Sequence, residues 1–227
     1  MQTYPVARPE PDLSVGHLFS RGWETFKANV GLSLAIAVVS TILTGIGGGA
    51  RGGGGFSFLL SLAGLVIGGP VTAGAYYAFL RMVRGEPVEF ASMFDGFKAF
   101  TKALAAYWLM VLIIVIGFIL FVVPGIIAAL GLLPVMFLVL DDNLGAVDTL
   151  KRAWEMTQGH KGTLVVLFLA LIGLNVVGII ALFVGVFVTG TITMLIVAAA
   201  YDELAGAKAV PVARPVYPPP TGLGPQA

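Results

Sequence analysis

The sequence predicts an all-α fold: six transmembrane helices in three hairpins, each hairpin preceded by a cytoplasmic interfacial amphipathic helix. Three observations lead there. Of the 227 residues 58% are hydrophobic and only 11% are charged, with a mean hydropathy of +0.96, whereas an ordinary soluble domain carries about 25% charge. A soluble chain this apolar would lack the polar surface to stay dispersed, so a multi-pass membrane protein is expected. The charges are also segregated into short stretches between long apolar runs. The longest such stretch, DDNLGAVDTLKRAWEMTQGHK from Asp141 to Lys161, places apolar residues at helical spacing.

Composition excludes several classes. With no cysteine there is no disulfide framework, thiolate nucleophile or zinc ribbon. The opening MQTYPVARPEPDL lacks the basic-then-apolar pattern of a cleavable signal, so insertion is expected to begin with the first spanning helix.

Residues 1–13 carry three prolines and read as a mobile cytoplasmic tail. Ser14 caps the first amphipathic helix, about 14–28, whose stripe is Val15, Leu18, Phe19, Trp23 and Phe26, with Ser20, Glu24 and Lys27 opposite. It runs straight into a span over about 29–47, followed by the flexible turn GIGGGARGGGG containing Arg51. The second span, about 56–82, is interrupted by Gly68-Gly69-Pro70 and has length to spare for tilt or a kink. In the second interfacial helix, about 88–102, Phe90, Met93/Phe94, Phe97 and Phe100 recur at helical spacing. Spans over about 103–123 and 126–140 follow, joined by a tight Val123-Pro124-Gly125 turn, with Pro134 inside the latter. The third interfacial helix, about 143–158, sets Val147, Leu150 and Trp154 against Asp148, Lys151, Arg152 and Glu155. Asp148–Arg152 and Lys151–Glu155 form i,i+4 pairs, Asp142 or Asn143 caps its start and Gly159 ends it. Spans over about 163–184 and 186–200 complete the bundle, which closes near residue 204, and 205–227 is a Pro-rich tail.

The interfacial helices repeat. Trp23, Phe97 and Trp154 each follow a small residue (Gly22, Gly96, Ala153), with Phe19, Met93 and Leu150 four positions earlier, and each precedes a span. Orientation follows from Lys and Arg: the four segments assigned to one side carry 3, 4, 3 and 2, and the three hairpin turns carry 1, 0 and 0. Basic residues stay cytoplasmic, which puts both termini and all three amphipathic helices inside the cell.

Little in the chain carries catalytic chemistry. His17 and His160 are the only histidines, and Asp141, Asp142 and His160 are the only local candidates for a metal, which needs more converging ligands. No HExxH, GxSxG or Walker-type loop occurs, and the glycine run matches GxGxxG by composition alone. Polar residues within the spans are mild: Ser40, Thr41, Thr44, Ser57, Ser61, Thr72, Thr189, Thr191, Thr193 and, sharpest, Asn175, whose amide wants a partner in hydrocarbon. No charged residue lies deep in a span, which argues against proton coupling. Gly64/Gly68 and Gly69/Ala73 suit close helix packing. Arg81, Arg84, Lys98, Lys102, Lys151, Arg152 and Lys161 are candidate contacts for anionic headgroups, at roughly 1 kcal/mol each. Trp23, Phe97 and Trp154 are candidate interfacial residues.

The segment RGEPVEFASMFDGFKAF after a glycine-rich span, and LLPVMFLVLDDNLGAVDTLKRAWEMTQGHKGTL before a last span ending AAAYDEL, carry a resemblance. From about Ser14 to Leu204 the chain resembles a large group of uncharacterised bacterial six-span integral membrane proteins. That group is related to the membrane domain attached to some glycerophosphodiester phosphodiesterases. The resemblance implies the six-helix architecture with interfacial helices. It implies no activity, because catalysis in the multidomain relatives belongs to a separate soluble domain.

Three functions are weighed. The first is a non-enzymatic scaffold or accessory protein of the cell (inner) membrane, without a cofactor, engaging lipid, a protein partner or a second copy of itself through its cytoplasmic helices or Pro-rich tail. The alternative is a small-solute transporter or channel without proton coupling, lined by the Ser, Thr and Asn positions and opened at Pro70 and Pro134. An enzyme acting on lipid lacks paired carboxylates, an activated nucleophile or a metal cluster and ranks last; nucleic acid is not an expected partner. The orientation predicts that Arg51→Cys is labelled by an impermeant thiol reagent from outside the cell and Lys151→Cys only from the cytoplasm; the reverse pattern would invert the topology.

Overall fold

The computed structural model describes residues 11–48, 55–180 and 182–206. Both tails and the turn around Arg51 lie largely or wholly outside these residues, as do the side chains of Ser57 and Ser61. Among the described residues the chain is helical throughout, without strands. Its elements are α1 (Val15–Ala28), α2 (Val30–Gly48), α3 (Gly55–Val83), a 3-10 helix (Phe90–Ala99), α4 (Phe100–Leu120), α5 (Val122–Gly131), α6 (Val135–Asp141), α7 (Ala146–Thr157), α8 (Lys161–Ile180) and α9 (Leu182–Leu204). Five stretches of the described residues are long and apolar enough to cross a membrane, and six if α1 and α2 count as one broken span.

α1 and α2 do not run straight on. They meet at a 98° bend, where the Asn29 side chain turns back to the Thr25 carbonyl (3.1 Å) and its backbone leaves the helical region. α1 buries Leu18, Gly22 and Phe26 and packs on α9, whereas Trp23 of the same apolar stripe is exposed.

The second charged stretch forms a 3-10 helix, opened by a capping box between Glu89 and Ser92. Three residues per turn put Met93 and Gly96 on one face, both buried, and Phe94, Phe97 and Phe100 on another. The cause is backbone contact with α3. A Cβ on Gly96 would collide with the Pro70 carbonyl, and one on Gly74 with the Met93 carbonyl. Pro70 cannot donate to the α3 ladder, and one residue from its lost acceptor the Leu65 carbonyl takes the Trp108 indole proton of α4 at 3.1 Å.

The turn expected at Val123-Pro124-Gly125 lies earlier. Phe121 is extended (φ −170°, ψ 159°), and Pro124 sits inside the first turn of α5, where a missing N–H costs nothing. The span expected over about 126–140 is broken at Leu132–Pro134 into α5 and α6. α7 fills that break: Trp154 lies against Gly131, and Thr157 Oγ1 is 3.2 Å from the Gly131 carbonyl. Its buried face is Thr149, Leu150, Ala153 and Thr157, while Val147 of the apolar stripe is exposed. The ion pairs of the described residues include neither Asp148–Arg152 nor Lys151–Glu155.

The core sits where α3, α6 and the second half of α9 meet. Phe137 of α6 stacks on Tyr201 of α9 and lies against Tyr76 of α3, each pair 5.0 Å between ring centres. The outer sides of α4, α5 and α8 are apolar and exposed, with Ile119 at 77% and Ile180 at 76%. Apolar surface on this scale belongs against lipid rather than water. Along α3, Gly69 touches α4 and Gly74 touches the 3-10 helix, whereas a Cβ on Gly68 meets open space. Gly74→Ala is therefore expected to lower stability by about 1–3 kcal/mol through overpacking. Gly68→Ala is expected to be neutral or to gain up to about 1 kcal/mol of helix propensity. Thermal unfolding of both variants in one detergent checks the contrast.

Candidate functional site

Two features have the chemistry of a site: an ionic cluster at one end of the bundle and a pair of cavities in its middle.

The cluster forms where α3, α6 and α9 end. Arg84, one residue beyond α3, grips Asp141 with two guanidinium nitrogens (2.7 and 3.0 Å) and Asp202 with Nε (2.9 Å). Tyr201 donates its hydroxyl proton to Asp141 (2.8 Å). Arg21 of α1 closes the ring from outside, reaching Asp202 at 2.9 Å and Glu203 at 2.6 Å, with His17 Nε2 3.3 Å from Glu203. The side chains of Arg84, Asp141 and Asp202 are only 5–8% exposed. Burial pulls the Arg84 pKa down, but hydrogen bonds and charge from Asp141 and Asp202 outweigh it and raise the pKa above the ordinary arginine value. A raised basic pKa stabilises the fold at every pH below it, so Arg84 stays charged throughout the working range and contributes no pH switch. Among the described residues no group of three or more His, Asp or Glu could hold a metal ion. The cluster ties the ends of α3, α6 and α9 to one another and to the side of α1, and presents no nucleophile.

The cavities lie near the middle of α9. One, of about 440 Å³, is bounded by α2, α3, α8 and α9 and lined by Ser40, Thr41, Thr44, Thr72 and Thr191 among apolar residues. The other, of about 460 Å³, is bounded by α3, α4, α5, α6, α8 and α9; Met110, Leu133, Phe168 and Ile172 make it more apolar. Tyr76, Asn175 and Met194 line both and form the wall between them. Among the described residues neither lining contains a charged side chain.

The residues singled out by sequence are distributed as follows. Asn175 donates to the Leu171 carbonyl (2.8 Å) and across to Thr193 Oγ1 of α9 (2.9 Å). Thr191 lines the first cavity and Thr193 the second, while Thr189 is buried against Gly178. Arg81 pairs with Glu86 and the Pro87 carbonyl. Lys98 pairs with Asp95, and Lys102 holds Asn143, whose φ of 51° is left-handed. Lys161 lies 3.7 Å over the Trp154 ring, and Lys151 and Arg152 are exposed. Trp23 and Phe97 are exposed, and Trp154 is half-buried.

Sequence reading treated Arg84 as a surface cation and missed the cluster. Its members lie up to 186 positions apart. The available signal was that AAAYDEL ends the last span with carboxylates on a helix that must finish beside other helix ends. Arg84→Met is expected to cost about 3–5 kcal/mol, because it takes the guanidinium away from two buried carboxylates. Arg84→Met combined with Asp141→Asn and Asp202→Asn should recover much of that loss, and Arg81→Ala should cost at most about 1 kcal/mol. Thermal midpoints of the four proteins separate these outcomes.

Comparison of the chain with protein-family models, with curated proteins and with solved structures finds no match.

Proposed function

We propose that this is a non-enzymatic multi-pass protein of the cell membrane with both termini cytoplasmic. It acts as a scaffold or accessory protein that engages lipid through the short helices at its charged end. One observation carries the reading: Phe90, Phe94 and Phe97 of the 3-10 helix stand exposed in a row, neighbouring ring centres 6.3–6.4 Å apart. Lys98, 80% exposed, stands beside them, with Lys102 just beyond in α4. Aromatic rings with adjacent cations favour the boundary between acyl chains and headgroups. The same face would be costly against water. The resemblance noted above supports the six-span, three-hairpin architecture and lends no activity.

The second reading, a transporter without proton coupling, is favoured by the two cavities, whose uncharged linings suit a neutral solute. A path through both would have to pass Tyr76, Asn175 and Met194.

The lipid reading is tested by a single tryptophan. With Trp23, Trp108 and Trp154 replaced by Phe, Phe94→Trp is expected to be quenched strongly by lipids brominated near the carbonyl end of the chain and weakly by aqueous acrylamide. Strong acrylamide quenching with no response to brominated lipid would place the row in water and remove the proposal's support.

A further inference from the structure

We infer that the paired cavities form one binding site for an uncharged, hydroxyl-bearing single-chain lipid, of the monoacylglycerol or long-chain alcohol class. The site is independent of the aromatic row, since it lies among the spans and shares no residue with the 3-10 helix. Each cavity falls in the range of about 300–1,000 Å³ typical of small-molecule sites, and the three-residue wall makes them neighbours.

The chemistry of the lining selects the ligand. Among the described residues neither cavity offers a charged side chain, so a phosphate, carboxylate or ammonium would enter desolvated with no opposite charge beside it. In the first cavity, Ser40 and Thr41 spend their protons on the Ala37 carbonyl (3.1 and 2.7 Å), Thr44 on Ser40 (2.8 Å) and Thr191 on Phe187 (2.7 Å). What remains on these oxygens is lone pairs, a cluster of acceptors that suits a ligand with O–H donors. Asn175 has committed both amide protons, one to Leu171 and one to Thr193, so its Oδ1 is also left to accept. Among the described residues neither the Tyr76 phenol, which faces both cavities, nor the Thr72 hydroxyl of the first makes a hydrogen bond, and both are donors available for a head-group oxygen. The second cavity, walled by Met, Leu, Ile and Phe side chains, matches a hydrocarbon chain. The hydroxylated head takes the Ser/Thr cavity, the chain takes the apolar one, and Tyr76 and Asn175 meet the junction between them.

The test uses the full-length protein in detergent and native mass spectrometry. 1-Monooleoylglycerol is compared with 1-oleoyl-lysophosphatidylglycerol, which carries the same chain on an anionic head. One monooleoylglycerol per protein is expected to be retained, with the charged lipid at least tenfold weaker. A Cβ on Gly190, in the wall of the first cavity, meets nothing within 4 Å. Gly190→Leu should therefore obstruct that cavity and lower affinity at least tenfold with little change in thermal midpoint. If that variant does not fold, Ser40→Ala with Thr44→Val, which removes acceptors without adding bulk, carries the same expected loss. Equal retention of the two lipids, or undiminished binding by whichever variant folds, would overturn the assignment.

Discussion

A guanidinium buried at the end of a helix bundle imposes geometry on everything around it. Arg84 takes both oxygens of Asp141 and one of Asp202, and the other oxygen of Asp202 goes to Arg21. Because α6 is only seven residues long and is cut from α5 at Pro134, little in the local chain fixes its height. The grip on Asp141 does. Sliding α9 by one turn would carry Asp202 about 5.4 Å away and leave charges unmatched in a site with almost no solvent. Against an apolar replacement such a cluster has small net stability, but against a wrong register of the same chain its penalty is severe. The rest of the bundle, including the cavity walls contributed by α3 and α9, is built from that fixed end.

A second constraint is close approach. The threefold pattern of a small residue followed by an aromatic has a physical content. Gly22 lies against Ile196, Gly96 against the Pro70 carbonyl, and Ala153 is fully buried on α7. In each short helix the small residue is where the helix touches the bundle, and in the first two the ring that follows is turned away from that contact. Trp23 and Phe97 reach the surface, while Trp154 turns aside onto Gly131 and is covered by Lys161. Packing alone accounts for the recurrence, whatever its origin.

These two constraints separate what could be read in the chain from what could not. Helix-forming stretches were legible because long apolar runs and charged breaks leave few alternatives, and Pro70 and Pro134 marked irregular places. The direction each short helix faces was less so. Val147 reads as part of an apolar stripe but is exposed, since an apolar side chain in a membrane protein can face lipid as readily as protein. The same ambiguity hides the core: Ile180 and Leu195 are equally apolar, yet one is 76% exposed and the other is not exposed at all. Spacing also could not tell an α-helix from a 3-10 helix over Phe90–Ala99, a choice made by backbone contact with α3. Arg84 was visible only as one cation among seven. Its partners arrive from 57 and 118 positions away, a distance over which sequence pattern carries no information.

Polarity is graded along the bundle. Ionised groups with firm partners gather at the end fixed by Arg84, while hydroxyls, one amide and one phenol occupy the middle. Most of those hydroxyls satisfy their own helix, which lets them sit in hydrocarbon at little cost. The amide is held by the helix opposite, so Asn175 braces α8 against α9 while its oxygen stays available. Among the described residues a lining of this kind carries no ionised group to pair with an ion or to exchange a proton. Discrimination there has to come from shape and from the sense of each hydrogen bond, with donors and acceptors set by bonds the protein has already made to itself. That dependence joins the two halves of the molecule: the hydrogen-bond sense in the middle is only as fixed as the helix register, and the register is set by the buried charges at the end.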